Sequence, residues 1–257
     1  MNSPIMEYIT SNVNYSLPEP EILPVMHSCD VFDCESIIDQ SFLNPTLCPV
    51  FGEDLLYFFY GKPTYPIGTK EDLNRTDSLY CPVCFIIYIC NIDIYRIFPF
   101  DSGAFDKGLY KPFMHRHMII DKFEIENNCK AIKAYISVIF GNNTNYINGI
   151  PDKYHDEDTY VNALLHLLSA TGGFEFDERA DTIEVISKKP IDISKNIRGI
   201  ILPENFLRMK KISDFIDKNN IDHKTYIVRT KTSPSRYNEV VFQLAMEFLK
   251  EQYDVRI

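Results

Sequence analysis

The sequence predicts an α+β fold, a mixed sheet core with flanking helices in a single domain, from three observations. Segments with the pattern of strands and helices are interspersed along the 257 residues without strict alternation. No internal repeat and no low-complexity linker divides the chain. The composition, with 45% hydrophobic and 13% aromatic residues, is ample for one large core. We expect this domain to cover residues 21–257, after a polar N-terminal arm over residues 1–20 that lies along the surface.

Strands and short helices are expected to follow one another in the first half of the chain. The segment "EILPVMHSCD" is predicted as a first strand ending at His27, and "CESIIDQSFLNP" as an amphipathic helix with Asp33 as its N-cap. The aromatic segment "DLLYFFYGKPTYP", residues 54–66, resembles a strand followed by a turn at Gly61 and Pro63. The run "LYCPVCFIIYIC" is apolar throughout, which is typical of a strand covered on both faces.

The second half begins with an expected irregular loop and continues with helices and strands. Pro, Gly and Asp in "YRIFPFDSGAFDKGLYKPF" predict the loop, and Asp101 or Ser102 within it could lie beside a cleft, although an ordinary turn is preferred. Helices are predicted at "CKAIKAYISVIFG", over residues 156–170, at "RMKKISDFIDKNN" and at "SRYNEVVFQLAMEFLKEQY". A turn and a strand are predicted in "TGGFEFDERADTIEVIS", and further strands in "KNIRGIILPENFL" and "HKTYIVRT".

Charge and cysteine content limit the classes of function. The formal net charge of −10 disfavours generic binding to phosphate backbones, and the basic clusters at 188–189 ("KK") and 208–211 ("RMKK") are more often solvated faces. The odd number of cysteines, seven, fits a reducing compartment. The pair Cys81 and Cys84 is a weak zinc signal in an apolar run, so no metal is expected. Without an apolar run of about 18 residues, the chain is expected to be cytoplasmic.

Three features of the sequence stand out as candidate site residues when they are taken together. They are His27 at the predicted end of the first strand, Tyr57 in the aromatic segment, and Glu184 in "DTIEVI". Each has a structural explanation on its own, because strand-end histidines, aromatic strands and a glutamate between apolar neighbours are common in folded domains. Their order along the chain is what suggests a shared role.

In this order and spacing, the sequence resembles the ADP-ribosyltransferase superfamily of the His-Tyr-Glu type, including DarT-type and poly-ADP-ribose-polymerase-like toxins. The likeness is carried by "VMHSCD", "LLYFFYGKPTYP" and "DTIEVI", by the helix ending "SFLNP", and by an "I..I..P" strand after the glutamate. It spans residues 22–207 in outline. The resemblance implies a split mixed sheet and a catalytic domain that uses NAD as its substrate.

The resemblance also implies roles for individual residues. His27 would bond a ribose, Tyr57 and Tyr65 would stack on nicotinamide with Tyr60 as a substitute, and Glu184 would bond the ribose 2′-hydroxyl and stabilise the cation. Ser28 keeps the hydroxyl of the family's first motif. Lys62 and Arg179 are candidates for binding the pyrophosphate. Thr182 stands where arginine-specific members have a glutamate, which disfavours an arginine side chain as the acceptor.

The function expected from this resemblance is transfer of ADP-ribose from NAD to a macromolecule, which could be a protein, RNA or DNA. Small members of the superfamily act as toxins or antiviral-defence effectors, with an antitoxin or regulatory protein as a further partner. One alternative is a non-catalytic binding or assembly protein of the same fold. Another is a metal-free hydrolase or nuclease built on His115, His117, His155, Asp156 and Asp158, for which no HExxH-like spacing is present.

Overall fold

A mixed β-sheet of eight strands forms the centre of the computed structural model, which describes residues 2–65, 76–152, 155–170, 178–229 and 231–253. Seven strands follow the order β10-β9-β5-β1-β4-β7-β6, with β3 paired to β4, and β2 pairs with β8 in a separate ribbon. Neighbouring strands are antiparallel except β9 and β10, which are parallel. The strands are β1 Val25–Asp30, β2 Phe42–Leu43, β3 Thr46–Cys48, β4 Glu53–Tyr60, β5 Pro82–Ile87, β6 Ile94–Phe98, β7 Glu184–Ser187, β8 Ile191–Asp192, β9 Ile197–Pro203 and β10 Asp222–Tyr226.

Helices cover both faces of this sheet. The helices are α1 Pro4–Asn12, α2 Val31–Gln40, α3 Ser102–Asp106, α4 Cys129–Ile139, α5 Asn143–Ile147, α6 Thr159–Leu168, α7 Ile193–Asn196, α8 Glu204–Leu207, α9 Lys210–Asn219 and α10 Asn238–Gln252. Tyr146 of α5 packs on Tyr60 of β4, with ring centroids 6.0 Å apart. On the opposite face α10 lies so close to β9 that a Cβ added to Gly199 would be 2.8 Å from the Phe248 ring. The described residues therefore form one mixed α/β domain with flanking helices.

The strand pairing between β1 and β4 ends after two residues. β1 pairs with β5 over all six of its residues, whereas it pairs with β4 only at Val25 and Met26. From His27 onwards β1 and β4 diverge, so the sheet is split between them. The imidazole of His27 bridges the start of the split, because its Nδ1–H donates to the carbonyl oxygen of Tyr57 at 3.0 Å.

The N-terminal segment differs from the expected polar arm. Residues 4–12 form α1, which has Ser3 as its N-cap and proline in its first turn, both favourable at helix N-termini. Its apolar residues Ile5, Met6 and Ile9 are buried, and α1 packs against α4 and α6. The sequence did not suggest this helix because its short apolar stripe lies among polar residues.

Most predicted elements in the rest of the chain are present, with shifted ends. β1 continues to Asp30 and does not end at His27, and Asp30, not Asp33, is the N-cap of α2. The buried strand β5, helices α4, α6, α9 and α10, and strands β7, β9 and β10 confirm the corresponding predictions. The loop expected around residue 101 contains helix α3. The turn predicted over residues 171–177 lies outside the described residues.

Candidate active site

Tyr57 and Glu184 lie on the same face of the sheet, on neighbouring strands. In the register between β4 and β7, Phe59 is opposite Glu184 and Tyr57 is opposite Ile186. Directly opposed residues share a face and alternate residues return to it, so Tyr57 and Glu184 are diagonal neighbours. Such neighbours are about 7–8 Å apart in antiparallel sheets. The two residues are therefore close enough to contact one small ligand.

The carboxyl group of Glu184 is buried at the start of a short helix. Its side chain is 2% exposed, and its Oε2 accepts a hydrogen bond from the backbone N–H of Ser102 at 3.3 Å. Burial raises the pKa of Glu184 well above its usual value, and the nearby charge of Asp101 raises it further, while hydrogen bonding from Ser102 partly opposes this shift. Glu184 is therefore a neutral acid over a pH range in which an exposed glutamate is ionised.

A buried ion pair lies beside this acid. The guanidinium of Arg179 donates to Asp101 Oδ2 at 3.1 Å, and the backbone N–H of Asp101 donates to the carbonyl oxygen of Arg179 at 3.1 Å. Asp101 is also the N-cap of α3, with its Oδ1 accepting from Ala104 N–H at 2.6 Å. Asp101 and Arg179 are 7% and 9% exposed. Among the described residues, Asp101 therefore has a cation as its partner, and no such ion pair is formed by Glu184.

The side chain of Tyr57 lies in a small hydrophobic cluster on the same sheet face as Glu184. Its hydroxyl donates to the Sγ atom of Cys48 at 2.7 Å, and its ring is half-buried against Cys48, Leu55, Phe98 and Ile186. Burial, the hydrogen bond with Cys48 and the charge of Glu184 together raise the pKa of Tyr57. The hydroxyl therefore remains protonated at physiological pH, and part of the ring is accessible beside a buried carboxylic acid.

His27 lies on the opposite face of the sheet from this pair. Met26 is opposite Phe59, which is opposite Glu184, so the next residue along β1 points away from them. The imidazole of His27 contacts the ring of Phe58, with centroids 5.9 Å apart. Burial lowers its pKa, and its Nδ1 carries the proton that bonds to Tyr57. The alternation along β1 thus separates His27 from Tyr57 and Glu184, contrary to the expectation of one cluster of the three.

The other predicted binding residues have partners inside the protein. Tyr60 is fully buried, and its hydroxyl accepts from Leu23 N–H at 2.8 Å. The ammonium of Lys62 donates to the Oδ1 of Asp181 at 2.8 Å and to its carbonyl oxygen at 3.0 Å. These contacts fix Tyr60 and Lys62 in the core, so neither is free to bind nicotinamide or pyrophosphate in this conformation.

Tyr65 and Ser28 belong to a different part of the sheet. The hydroxyl of Tyr65 donates to the carbonyl oxygen of Val83 at 3.2 Å, and Ser28 is paired with Cys84. Tyr65 therefore lies over β5, while Tyr57 pairs towards β7 on the far side of the split. The structure does not place the two tyrosines as a sandwich around one ring. Arg179, by contrast, lies beside Glu184 through its ion pair with Asp101.

Two residues of this site were named from the sequence only as the less favoured alternative. Asp101 and Ser102 were expected in an ordinary turn, yet they form the start of α3 and contact Arg179 and Glu184. Their position follows from the pairing of β6 with β7, which puts Phe98 opposite Glu184 three residues before Asp101. A sequence pattern does not give strand pairing, so the contact of these two residues with Arg179 and Glu184 was not predictable from the sequence.

The part of the chain that the structure describes contains neither a metal-binding cluster nor a helix suited to span a membrane. There, no group of three or more His, Cys, Asp or Glu side chains has a geometry suited to a metal ion. The seven cysteines are free thiols, and Cys81 and Cys84 are buried. Among the described helices, none combines the length and apolar character needed to cross a membrane.

The protein is thus a mixed α/β domain whose candidate site has three parts. They are the buried carboxylic acid of Glu184, the ring of Tyr57 and the ion pair of Asp101 with Arg179. Buried acids with strongly perturbed pKa values are enriched at functional sites, although structural networks also perturb them. No family model matches the chain, and searches of curated proteins and of solved structures find no match either. The chemistry of the site is therefore the basis for any assignment of function.

Proposed function

We propose that this protein is an NAD-dependent ADP-ribosyltransferase that transfers ADP-ribose to a macromolecule, as a toxin or an antiviral-defence effector. The observation that carries the proposal is the placement of Tyr57 and Glu184 on one face of neighbouring strands. A tyrosine ring can stack on nicotinamide, and a carboxyl group next to it can bond the ribose 2′-hydroxyl. The split between β1 and β4 and the sequence resemblance support the same proposal.

In the proposed reaction, Glu184 stabilises the positive charge that develops on the ribose as the bond to nicotinamide breaks. Only the carboxylate form does this well, so the raised pKa of Glu184 has a consequence for the rate. We expect the reaction to become faster as the pH rises from neutral, because a larger fraction of Glu184 is ionised. Since Glu184 is 2% exposed, neighbouring side chains must move before a ribose can reach it.

The roles of His27 and Tyr65 in this proposal differ from those of the family. His27 links the two strands at the start of the split by donating to the carbonyl oxygen of Tyr57, and its ring packs on Phe58 on the opposite face from Glu184. Tyr65 is bonded to β5. Tyr57 is therefore proposed as the one stacking ring, with Arg179 and Asp101 positioning Glu184.

The test is release of nicotinamide from NAD by the purified protein, with and without added protein, RNA and single-stranded DNA as acceptors. Glu184→Gln should lower the rate about 100-fold or more, as removal of one group that stabilises developing charge typically does. Glu157→Gln, which changes an exposed carboxylate, is the matched control and should leave the rate unchanged. If the wild type releases no nicotinamide with any acceptor, the proposal fails.

Tyr57 offers a second comparison that separates its ring from its hydroxyl. Tyr57→Phe keeps the stacking surface and removes only the bond to Cys48, so it should retain most of the activity. Tyr57→Ala removes the ring and should lose about tenfold or more, since stacking on a ring is worth about 1–3 kcal/mol. Equal activity of the two variants would contradict a stacking role.

A non-catalytic binding protein of the same fold is the second candidate, and one observation favours it. Glu184, Tyr60 and Lys62 are all nearly inaccessible and are bonded to other parts of the domain. Under this alternative Glu184 only caps α3, and Glu184→Gln would change the stability of the protein without any effect on NAD. Isothermal titration of the wild type with NAD separates the two candidates, because only the enzyme must bind it.

A further inference from the structure

A second concave site lies at the opposite end of the sheet from Glu184. It is a pocket of about 540 Å³ between the 3-10 turn Ser78–Tyr80, helix α8 and the segment that follows β10. In the strand order, β10 is five positions away from β7. With strands about 4.8 Å apart, this is roughly 24 Å, so the pocket is separate from the candidate active site.

Basic side chains from two distant parts of the sequence line this pocket. Arg208 comes from the end of α8, and Arg229 and Lys231 come from the segment after β10. Among the described lining residues the one carboxylate is Glu204, whose Oε1 lies 3.6 Å from an Nη atom of Arg208. The described part of the lining thus has three cations and one anion, in a protein with a formal net charge of −10. Arg208 of the basic cluster at 208–211, which the sequence suggested was a solvated face, contributes here to a concave surface.

The segment that presents Arg229 is held in place by the core. Its backbone N–H donates to the hydroxyl of Tyr237 at 2.7 Å, and the Tyr237 ring packs on Tyr226 of β10 with centroids 5.2 Å apart. The N–H of Thr232 donates to the carbonyl oxygen of Arg229 at 3.3 Å, and Lys231 has a φ of 66°, which is uncommon for a residue other than glycine. Arg229 is therefore presented by a segment that is bonded to the core on one side.

The remaining lining residues offer hydrogen-bond donors suited to a phosphate and an apolar surface suited to a group attached to it. Thr76, Ser78 and Asn205 offer hydroxyl and amide donors to phosphate oxygens. Ile227, which is 72% exposed, offers an apolar surface next to them. Guanidinium groups bind phosphate oxygens in a bidentate manner. The volume is within the range of sites for small organic ligands and exceeds what one phosphate fills.

We propose that this pocket binds a nucleoside phosphate, with Arg208, Arg229 and Lys231 around the phosphate and Ile227 against the nucleoside. The same chemistry is offered by a free nucleotide and by a nucleotide within a single strand. This proposal is independent of the proposed NAD chemistry, because no residue of the pocket belongs to the Glu184 site.

The experiment is a binding titration of the full chain with three probes: AMP, a short thymidine oligonucleotide and inorganic phosphate. Each is measured at about 50 mM and about 200 mM NaCl, since binding through phosphates weakens as salt rises. We expect saturable binding of AMP or of the oligonucleotide. Binding of AMP identifies a free nucleotide as the ligand, whereas binding of the oligonucleotide alone identifies a strand.

The variant Arg208→Gln/Arg229→Gln should weaken this binding about tenfold or more, because two charge-assisted contacts are lost. Lys218→Gln/Lys250→Gln removes the same number of charges from exposed positions on α9 and α10 and should bind within about twofold of the wild type. The proposal is overturned by no saturable binding of AMP or of the oligonucleotide, by equal losses in the two double variants, or by inorganic phosphate binding as tightly as AMP.

Discussion

At the scale of single residues, the burial of Glu184 is the feature with the largest consequence. A carboxyl group that is 2% exposed and has no cation beside it among the described residues costs free energy when it ionises. Asp101 avoids this cost through its contact with Arg179, whereas Glu184 accepts a hydrogen bond from the backbone N–H of Ser102. Such an uncompensated acid is stable as a neutral group, so its burial makes the free energy of unfolding depend on pH.

We predict that Glu184→Gln stabilises the protein at neutral pH. The raised pKa of Glu184 means that the unfolded state loses its proton first, so the wild type loses stability as the pH rises above about 4.5, the ordinary value. Glutamine mimics the neutral acid and does not ionise. The gain should be about 1.4 kcal/mol for each unit by which the pKa is raised, and it should vanish below the ordinary pKa of the group. Urea unfolding of both proteins between about pH 4 and pH 8 measures it; a constant difference across this range would contradict the prediction.

At the scale of elements, the aromatic segment 54–66 contributes mainly to the core, although its composition suggested a pair of tyrosines around nicotinamide. In β4, Tyr60 and Phe58 point into the main core and Tyr57 points to the opposite face, as the alternation of a strand requires. Gly61 then turns the chain, with a φ of 68° that favours glycine. The hydroxyls of Tyr57, Tyr60 and Tyr65 have partners within the protein, and Tyr57 is a half-buried tyrosine that shares a sheet face with Glu184.

We predict that Gly61→Ala destabilises the protein by more than Gly52→Ala. Both glycines have a left-handed φ, 68° and 67°, so both substitutions cost about 1 kcal/mol or more in the backbone. A Cβ at Gly61 would lie 2.9 Å from Leu23 Cδ1 and 3.2 Å from Ile147 Cδ1, whereas nothing lies within 4 Å of one at Gly52. The crowding should add about 1–3 kcal/mol at Gly61 alone. Urea unfolding midpoints give the comparison, and equal losses would show that the turn has room for a methyl group.

Elements were predictable from the sequence to the extent that they are local. Periodicity and caps gave helices such as α4 and α6, and the apolar run gave β5, because these signals depend on neighbouring residues. The strand order was not predictable, since it depends on pairings over long separations, such as Glu184 with Phe59 and Phe98. For the same reason the joint position of Tyr57 and Glu184 was a hypothesis, and the alternation that turns His27 away from them could not be anticipated.

At the scale of the whole molecule, one core joins the two ends of the described chain. The same cluster of buried side chains extends from Ile5 in α1 to Leu249 in α10 and includes residues of both sheet faces. α1 was expected to be part of a surface arm, yet its apolar stripe is buried against α4 and α6. Its removal would therefore expose the interior of the domain.

We predict that Ile9→Ala destabilises the whole domain and not α1 alone. Ile9 is 1% exposed in the main core, and truncating a buried isoleucine typically costs about 2–5 kcal/mol because a cavity remains. Glu7→Ala, on the exposed face of the same helix, should change the free energy of unfolding by less than about 0.5 kcal/mol. Unfolding followed by both far-ultraviolet circular dichroism and tyrosine fluorescence should show one coincident transition, shifted only in Ile9→Ala. If the two variants behave alike, or if Ile9→Ala separates the two signals, α1 is a peripheral arm in solution and the domain is stable without it.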